Sequence, residues 1–234
     1  CNKVKNDPET KEIVLKAFNK LISNGYAVKF DEMSDEDRKR IQDAPVNHYL
    51  PWRIVHKPSS VTSPARAVFD ASSRTPTLPD GRGGRCLNDL TMKGRVDTLD
   101  LLTMLLRFSS GSCGISGDLR MFYTSIALDP SQWHLQRVLW REGLMKGALL
   151  PFIKGLVPEA EVLELVIISL IFGVRAVSAL SERAILDLAK LVSKIKPRLA
   201  EMMEQSRFVD DLADSDNKEV IGKLKKEADE AFES

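Results

Sequence analysis

The chain is predicted to fold as α+β, with short antiparallel strands packed on helices. Two observations predict this class. Apolar residues recur at helical spacing in several separate stretches. The extended segments between those stretches are short and come in pairs around polar turns. Those pairs point to hairpins, not to the long crossovers of a parallel doubly wound sheet. With 234 residues, of which 43% are hydrophobic, the chain fits one large domain or two lobes and can bury a real core.

The elements follow in order. Asp7-Pro8 offers an N-cap and a first-position proline, and Ile13, Val14, Ala17, Phe18, Leu21 and Ile22 mark one face of a helix that Asn24-Gly25 closes. Residues 31–48 are charged and loop-like, with a short helix over 35–42. Tyr49-Leu50-Pro51-Trp52-Arg53-Ile54-Val55-His56 and residues 65–69 read as two strands around the polar turn Lys57-Pro58-Ser59-Ser60. Residues 71–95, rich in Ser, Thr, Pro, Gly and Arg, form a loop. Asp97 or Thr98 caps a helix running to Phe108. Residues 113–128 read as strand, bend, strand, and 134–140 as a further strand, while 142–160 are irregular. Val177, Leu180, Ala184, Leu188, Leu191 and Val192 line another helix, residues 205–213 a tight hairpin, and Val220, Leu224, Ala228 and Phe232 a last helix. No internal repeat is evident.

Net charge is +1, so the chain as a whole does not advertise a nucleic-acid partner. The charge is nevertheless uneven. Residues 52–107 carry nine Lys or Arg against five Asp or Glu, and residues 199–234 carry five against eleven. A basic first half suits phosphates and acidic residues later suit metal, although ordinary surface variation produces such swings too. The cysteines Cys1, Cys86 and Cys113 form no CxxC pair or zinc spacing, and His48, His56 and His134 do not cluster with them. A reduced, intracellular protein is expected. No apolar run reaches the roughly 18 residues of a membrane span; the most apolar stretch, 162–177, contains Glu164 and Arg175. The chain opens with Cys1 and ends inside a predicted helix, so a fragment with missing flanks is expected.

The residues that carry chemistry are acidic. Phe208-Val209-Asp210-Asp211-Leu212 puts adjacent carboxylates at the tip of a predicted hairpin between apolar residues. Repulsion and lost hydration make that costly, and a divalent cation offsets both. Asp carboxylates suit Mg²⁺, an oxygen-seeking ion. Asp-Asp pairs are also common on solvated turns, so the pair alone is weak. A second acidic residue, Asp118 in Gly117-Asp118-Leu119-Arg120-Met121-Phe122-Tyr123, ends a predicted strand; alone it equally fits a helix cap. Asp118 and Asp210 lie 92 residues apart, at ends of strands that could be neighbours in one sheet. Two-metal phosphoryl transfer needs that convergence from separate segments.

An ordered set of motifs sharpens this. Tyr49-Leu50-Pro51, Lys57-Pro58-Ser59-Ser60, Arg66-Ala67-Val68-Phe69-Asp70-Ala71-Ser72, Leu87-Asn88-Asp89, Gln136-Arg137-Val138-Leu139-Trp140-Arg141 and Phe208-Val209-Asp210-Asp211 follow one another. In that order they resemble the reverse transcriptases of retroelements, most closely the BEL/Pao class of LTR retrotransposons. The likeness spans residues 49–216 and is weaker outside. It implies the fingers and palm of a polymerase right hand with the thumb absent. Residues 1–95 would be fingers with an N-terminal helix, 96–128 the first catalytic segment of the palm, 129–170 a return to the fingers, and 171–234 the palm with the catalytic hairpin, truncated.

The resemblance also implies roles. Asp118, Asp210 and Asp211 are the catalytic metal ligands, with Asp210 more direct than Asp211. Phe208 stands where many relatives have Tyr. Tyr123 matches the aromatic that excludes a ribose 2′-hydroxyl, though a plain core aromatic fits as well. Arg66 matches the fingers arginine that covers the triphosphate, for which a guanidinium is suited; a solvated strand arginine is the alternative. Lys57 is its lysine partner, at a spacing two residues off the family's. Asp70 falls near the nucleotide pocket or simply pairs with an arginine. Gly173, in Phe172-Gly173-Val174, lets the backbone approach the nucleotide or template, or simply enters a helix. Many relatives have Gln at Phe172 and Ser-Pro at Val177-Ser178, which weighs against side-chain contacts with nucleotide there.

The implied reaction is attack of a primer 3′-hydroxyl on the α-phosphate of a dNTP, with two Mg²⁺ ions, or Mn²⁺ in their place, activating the hydroxyl and neutralising the triphosphate. The implied partners are an RNA or DNA template with primer, dNTP, and protease, RNase H and integrase domains of one polyprotein. No membrane is involved. The expected location is a cytoplasmic retroelement particle, or the nucleus. The alternative is a degenerate or truncated copy that binds nucleic acid without polymerising. An unrelated Mg²⁺-dependent phosphotransferase would need a phosphate loop, and Gly81-Arg82-Gly83-Gly84 lacks the P-loop Lys-Ser/Thr pattern.

Overall fold

Helix α1 (Pro8–Ser23) starts at the proline and stops before Gly25, whose φ of +71° is a left-handed conformation natural to glycine. The structure is a computed structural model and describes residues 8–56, 65–77, 81, 83–95, 99–141, 162–209 and 211–232. Lys57, Asp210, the segment 142–160 and part of the 81–84 glycine loop therefore lie outside the described residues. The chain is α+β, and its strands pair antiparallel within each of its small sheets. It divides into two compact units, each built from two stretches: Cys1–Met92 with Tyr123–Arg175, and Lys93–Phe122 with Ala176–Ser234.

The first unit holds a three-stranded sheet and a two-stranded ribbon. In the sheet, β6 (Val162–Ile167) lies between β1 (Ala27–Lys29) and β5 (Arg137–Arg141). Helix α2 (Asp35–Gln42), capped by Ser34, precedes the ribbon, which pairs β2 (Trp52–His56) with β3 (Ala65–Phe69). Phe18, Leu87, Val138, Leu165 and Ile167 are completely buried in its core. Each such side chain contributes about 1.5–3 kcal/mol relative to exposure. The Trp52 ring meets Phe18 edge-on at 4.7 Å and its Nε1–H donates to the Leu139 carbonyl. Several residues of the ordered motifs prove to be scaffolding. Gln136 donates to the carbonyls of Ile167 and Ser169. Arg137, paired with Glu164, lies between the Phe30 and Tyr49 rings at 5.3 and 4.6 Å.

The second unit is a sheet in the order β4 (Cys113–Asp118), β8 (Asp211–Asp216), β7 (Arg207–Phe208). With it go the helices α4 (Leu101–Phe108), α5 (Val177–Val192), α6 (Pro197–Gln205) and α7 (Lys218–Phe232). Ile185, Ala189, Leu199, Met203, Leu212 and Leu224 form its core.

Several expectations are corrected. Residues 134–140 are not one strand. Asp129 caps a 3-10 turn over Pro130–Leu135, with Pro130 at its start, and the strand begins only at Arg137. Residues 124–128 form no strand, only a bridge from Ala127 to Ser169. They belong with the first unit, because Ile126 and Leu128 exchange backbone hydrogen bonds with Leu170 and Ile168. The units divide after residues 92, 122 and 175. Helix α4 is capped by Asp100, whose carboxylate accepts from the Thr103 N–H at 2.9 Å, not by Asp97 or Thr98. The loop over 71–95 contains a short helix, α3 (Leu87–Leu90). Strand β6, apolar but for Glu164, and α6 carry no periodic signal strong enough to place them from sequence. Among the described residues no helix is long and apolar enough to cross a membrane.

Buried His48 adds a pH dependence to the first unit. Its side chain is 5% exposed, and its Nε2 has no hydrogen-bond partner among the described residues. Burial pushes its imidazole pKa down, and burial does the same to His134. The unfolded chain then takes up protons more readily than the folded one. Stability is held above the ordinary imidazole pKa of about 6.5 and declines as pH falls below it. Urea midpoints measured from pH 7.5 to 5.5 are expected to drop in the wild type and to drop less in His48→Gln.

Candidate functional site

The register of β4 on β8 places Asp118 directly opposite Asp211. Cross-strand partners point to the same face, with Cβ atoms about 4.5–5.5 Å apart. Both residues are exposed, and neither carboxylate has a hydrogen-bond or ion-pair partner among the described residues. Phe208 pairs with Asp211 in turn, which leaves only Val209 and Asp210 to link β7 to β8. Val209 takes φ +60°. A β-branched residue in that region is strained, so the sheet around it enforces the tip.

The other aspartates of β8 are a control within the same strand. Asp214 and Asp216 alternate with Asp211 and face away from it. Arg198 of α6 reaches both, at 2.7 and 3.5 Å, and Asp214 is buried. Two of the three described acids of β8 are thus neutralised by a fixed guanidinium, and Asp211 is not. Along the Asp118 face the next pair, Ser116 with Ala213, is small, so no bulky side chain of these strands crowds the carboxylates. Further along, at Gly114, a Cβ would come within 2.8 Å of the Phe108 ring, so glycine lets α4 lie close on that end.

The carboxylates suit a hard divalent cation. Two like charges set opposite each other repel, and hard oxygen donors are what Mg²⁺ selects. Asp118 and Asp211 are the described members of the trio. Among the described residues no group of three or more His, Cys, Asp and Glu gathers to hold a metal; Asp210, the third acid, lies outside them.

The described residues that the family likeness assigns to nucleotide lie in the first unit. Arg66 is exposed on β3 and has no partner among the described residues. Its face of the ribbon also carries Arg53, which the register places diagonally across from it, opposite Val68, and which is equally exposed and unpaired among the described residues. Arg53 falls outside every one of the ordered motifs. Only the strand alternation of residues 53, 55, 66 and 68 could have flagged it. Asp70 closes the end of β3 as a turn residue, accepting from the Ser72 N–H at 3.0 Å; it pairs with no arginine among the described residues. Gly173 has φ +90°, and a Cβ there would stand 3.5 Å from the Phe69 carbonyl oxygen. It sits in a turn ahead of α5 and requires the freedom of glycine. Tyr123 is 5% exposed and meets the Phe172 ring edge-on at 4.5 Å. Phe172 itself is 61% exposed, so it, not Tyr123, presents the aromatic surface here.

A scan of the chain against protein-family models matches none, and a search of curated proteins finds no match.

Proposed function

We propose that the chain is the fingers-and-palm core of a reverse transcriptase, an RNA-directed DNA polymerase of the BEL/Pao kind. The observation that carries this reading is the pairing of Asp118 with Asp211 beside the β7–β8 hairpin tip, with neither carboxylate partnered among the described residues while Arg198 occupies the neighbouring acids. The ordered motifs supply independent support. On this reading the first unit corresponds to the fingers and the second to the palm.

The second unit supplies the metal ligands Asp118, Asp210 and Asp211. Two bound Mg²⁺ ions would supply activation of the primer hydroxyl and neutralisation of the triphosphate. The family likeness assigns the phosphate contacts to residues of the first unit. Arg66 offers a guanidinium able to grip a phosphate bidentately. Gly173 keeps its stretch of backbone free of a side chain. Template and primer bind through their backbones, so binding is tolerant of sequence and weakens with salt. The chain would act within a polyprotein that also carries protease, RNase H and integrase, in a cytoplasmic particle.

The test is primer extension on an RNA template with Mg²⁺. Extension that disappears in Asp118→Asn supports the enzyme. Binding of template and primer without extension favours a degenerate copy. The ribbon adds a second test. Arg53→Ala and Arg66→Ala are each expected to weaken template binding, and to reduce the slope of log K against log salt by about one for each phosphate that is no longer neutralised. Arg66→Ala alone is expected to raise the KM for dNTP. Titrations at several salt concentrations check both.

A further inference from the structure

Leu87-Asn88-Asp89 stands out in the sequence without a role of its own. Leu87 is completely buried, and Asp89 caps α3 by accepting from the Cys86 N–H at 3.1 Å while pairing with Arg74. The Asn88 N–H donates to the Ala71 carbonyl. A four-residue helix has little stability of its own, so these bonds are what fix the Asn88 backbone.

From that fixed point the Asn88 side chain spans the turn that precedes α5. Its Nδ2 donates to the Gly173 carbonyl at 3.0 Å and to Ser72 Oγ at 3.1 Å. Its Oδ1 accepts from the Arg175 N–H at 2.7 Å. Arg175 returns a longer contact, its guanidinium donating to the Asn88 carbonyl at 3.4 Å. One amide thus holds a carbonyl and an N–H two residues apart, as a paired strand would. Val174 between them packs on the core of the first unit. Phe172, just before the clamped glycine, is the exposed ring that covers Tyr123.

Resting on the polymerase reading above, we infer that Asn88 is a positioning residue for nucleotide binding, which holds the turn 172–175 so that Gly173 and Phe172 stand where the incoming dNTP is received. Only a side chain with a donor and an acceptor on one planar group serves both bonds. Asn88→Asp keeps the acceptor for Arg175 but sets a carboxylate oxygen against the Gly173 carbonyl. Ser72→Ala removes only the bond that orients the amide.

The experiment is steady-state primer extension by the full chain on an RNA template, with amide exchange read at Arg175. For Asn88→Ala the KM for dNTP is expected to rise about tenfold, with kcat within about twofold and template affinity unchanged, since removing a hydrogen bond of this kind acts on binding. The Arg175 amide is expected to exchange faster. Asn88→Asp should resemble Asn88→Ala, and Ser72→Ala should shift KM the same way but less. An active wild type whose KM is untouched by Asn88→Ala overturns the inference alone, as does Asn88→Asp with wild-type KM. A fall in kcat at unchanged KM also overturns it. A wild type that extends no primer overturns the polymerase reading and this inference with it.

Discussion

Asp118→Asn is expected to reduce Mg²⁺-dependent primer extension by about 10³-fold, because removing a charged metal ligand takes away several kcal/mol of transition-state stabilisation. The same change should not harm the fold. Asp118 is exposed and faces Asp211 across the sheet. Removing one of two like charges relieves repulsion worth about 0.2–1 kcal/mol, toward the lower end for a solvated pair. The variant is therefore expected to melt at the wild-type temperature or slightly above it without Mg²⁺. Adding Mg²⁺ should raise the melting temperature of the wild type and leave that of the variant nearly unchanged, since only a ligand bound to the folded state stabilises it. Calorimetric melts with and without Mg²⁺, beside the extension assay, give both readouts. Equal stabilisation by Mg²⁺ in the two proteins would exclude the pair as a metal site.

Arg207→Ala is expected to destabilise the second unit by about 3–5 kcal/mol. The guanidinium is 5% exposed and pairs at 2.8 Å with Glu182, which is 11% exposed. It also donates to the carbonyls of Met203 and Glu204 near the end of α6. Removing it takes a positive partner from the Glu182 carboxylate in a nearly dry site and frees those carbonyls. At roughly 2–4 °C per kcal/mol for a chain of this size, the melting temperature should fall by on the order of 10 °C. Extension should fall with it, because Arg207 directly precedes Phe208 and anchors β7, the first strand of the hairpin. The double variant Arg207→Met with Glu182→Leu removes both charges and is expected to be more stable than Arg207→Ala. A double variant as unstable as the single one would show that packing, not the buried charge, sets the loss.

Much of the local structure was legible in the residues. Pro8 and Gly25 bounded α1, the spacing of Val177 to Val192 marked α5, and two aspartates beside apolar residues marked the β7–β8 tip. Other elements were misread for specific reasons. The 3-10 turn at Pro130–Leu135 was hidden because His134 and Leu135 look like the start of the strand that follows. The capping aspartate of α4 was misplaced because Asp97 and Asp100 both precede the same leucine run. Asn88 and Arg207 gave no sign of their roles, since each acts through partners far along the chain or in other elements.

By itself, the sequence determined the α+β class, the main helices, and which acids sit at strand ends, because caps, turns and apolar periodicity act over a few neighbouring residues. Tertiary structure alone decided that Asp118 faces Asp211 from 93 residues away, that Arg198 claims Asp214 and Asp216, and that Arg53 shares a face with Arg66. A shift of one residue in strand register would turn each of those side chains to the opposite face. Register is set by the packing of whole strands on their cores, and no local pattern encodes it.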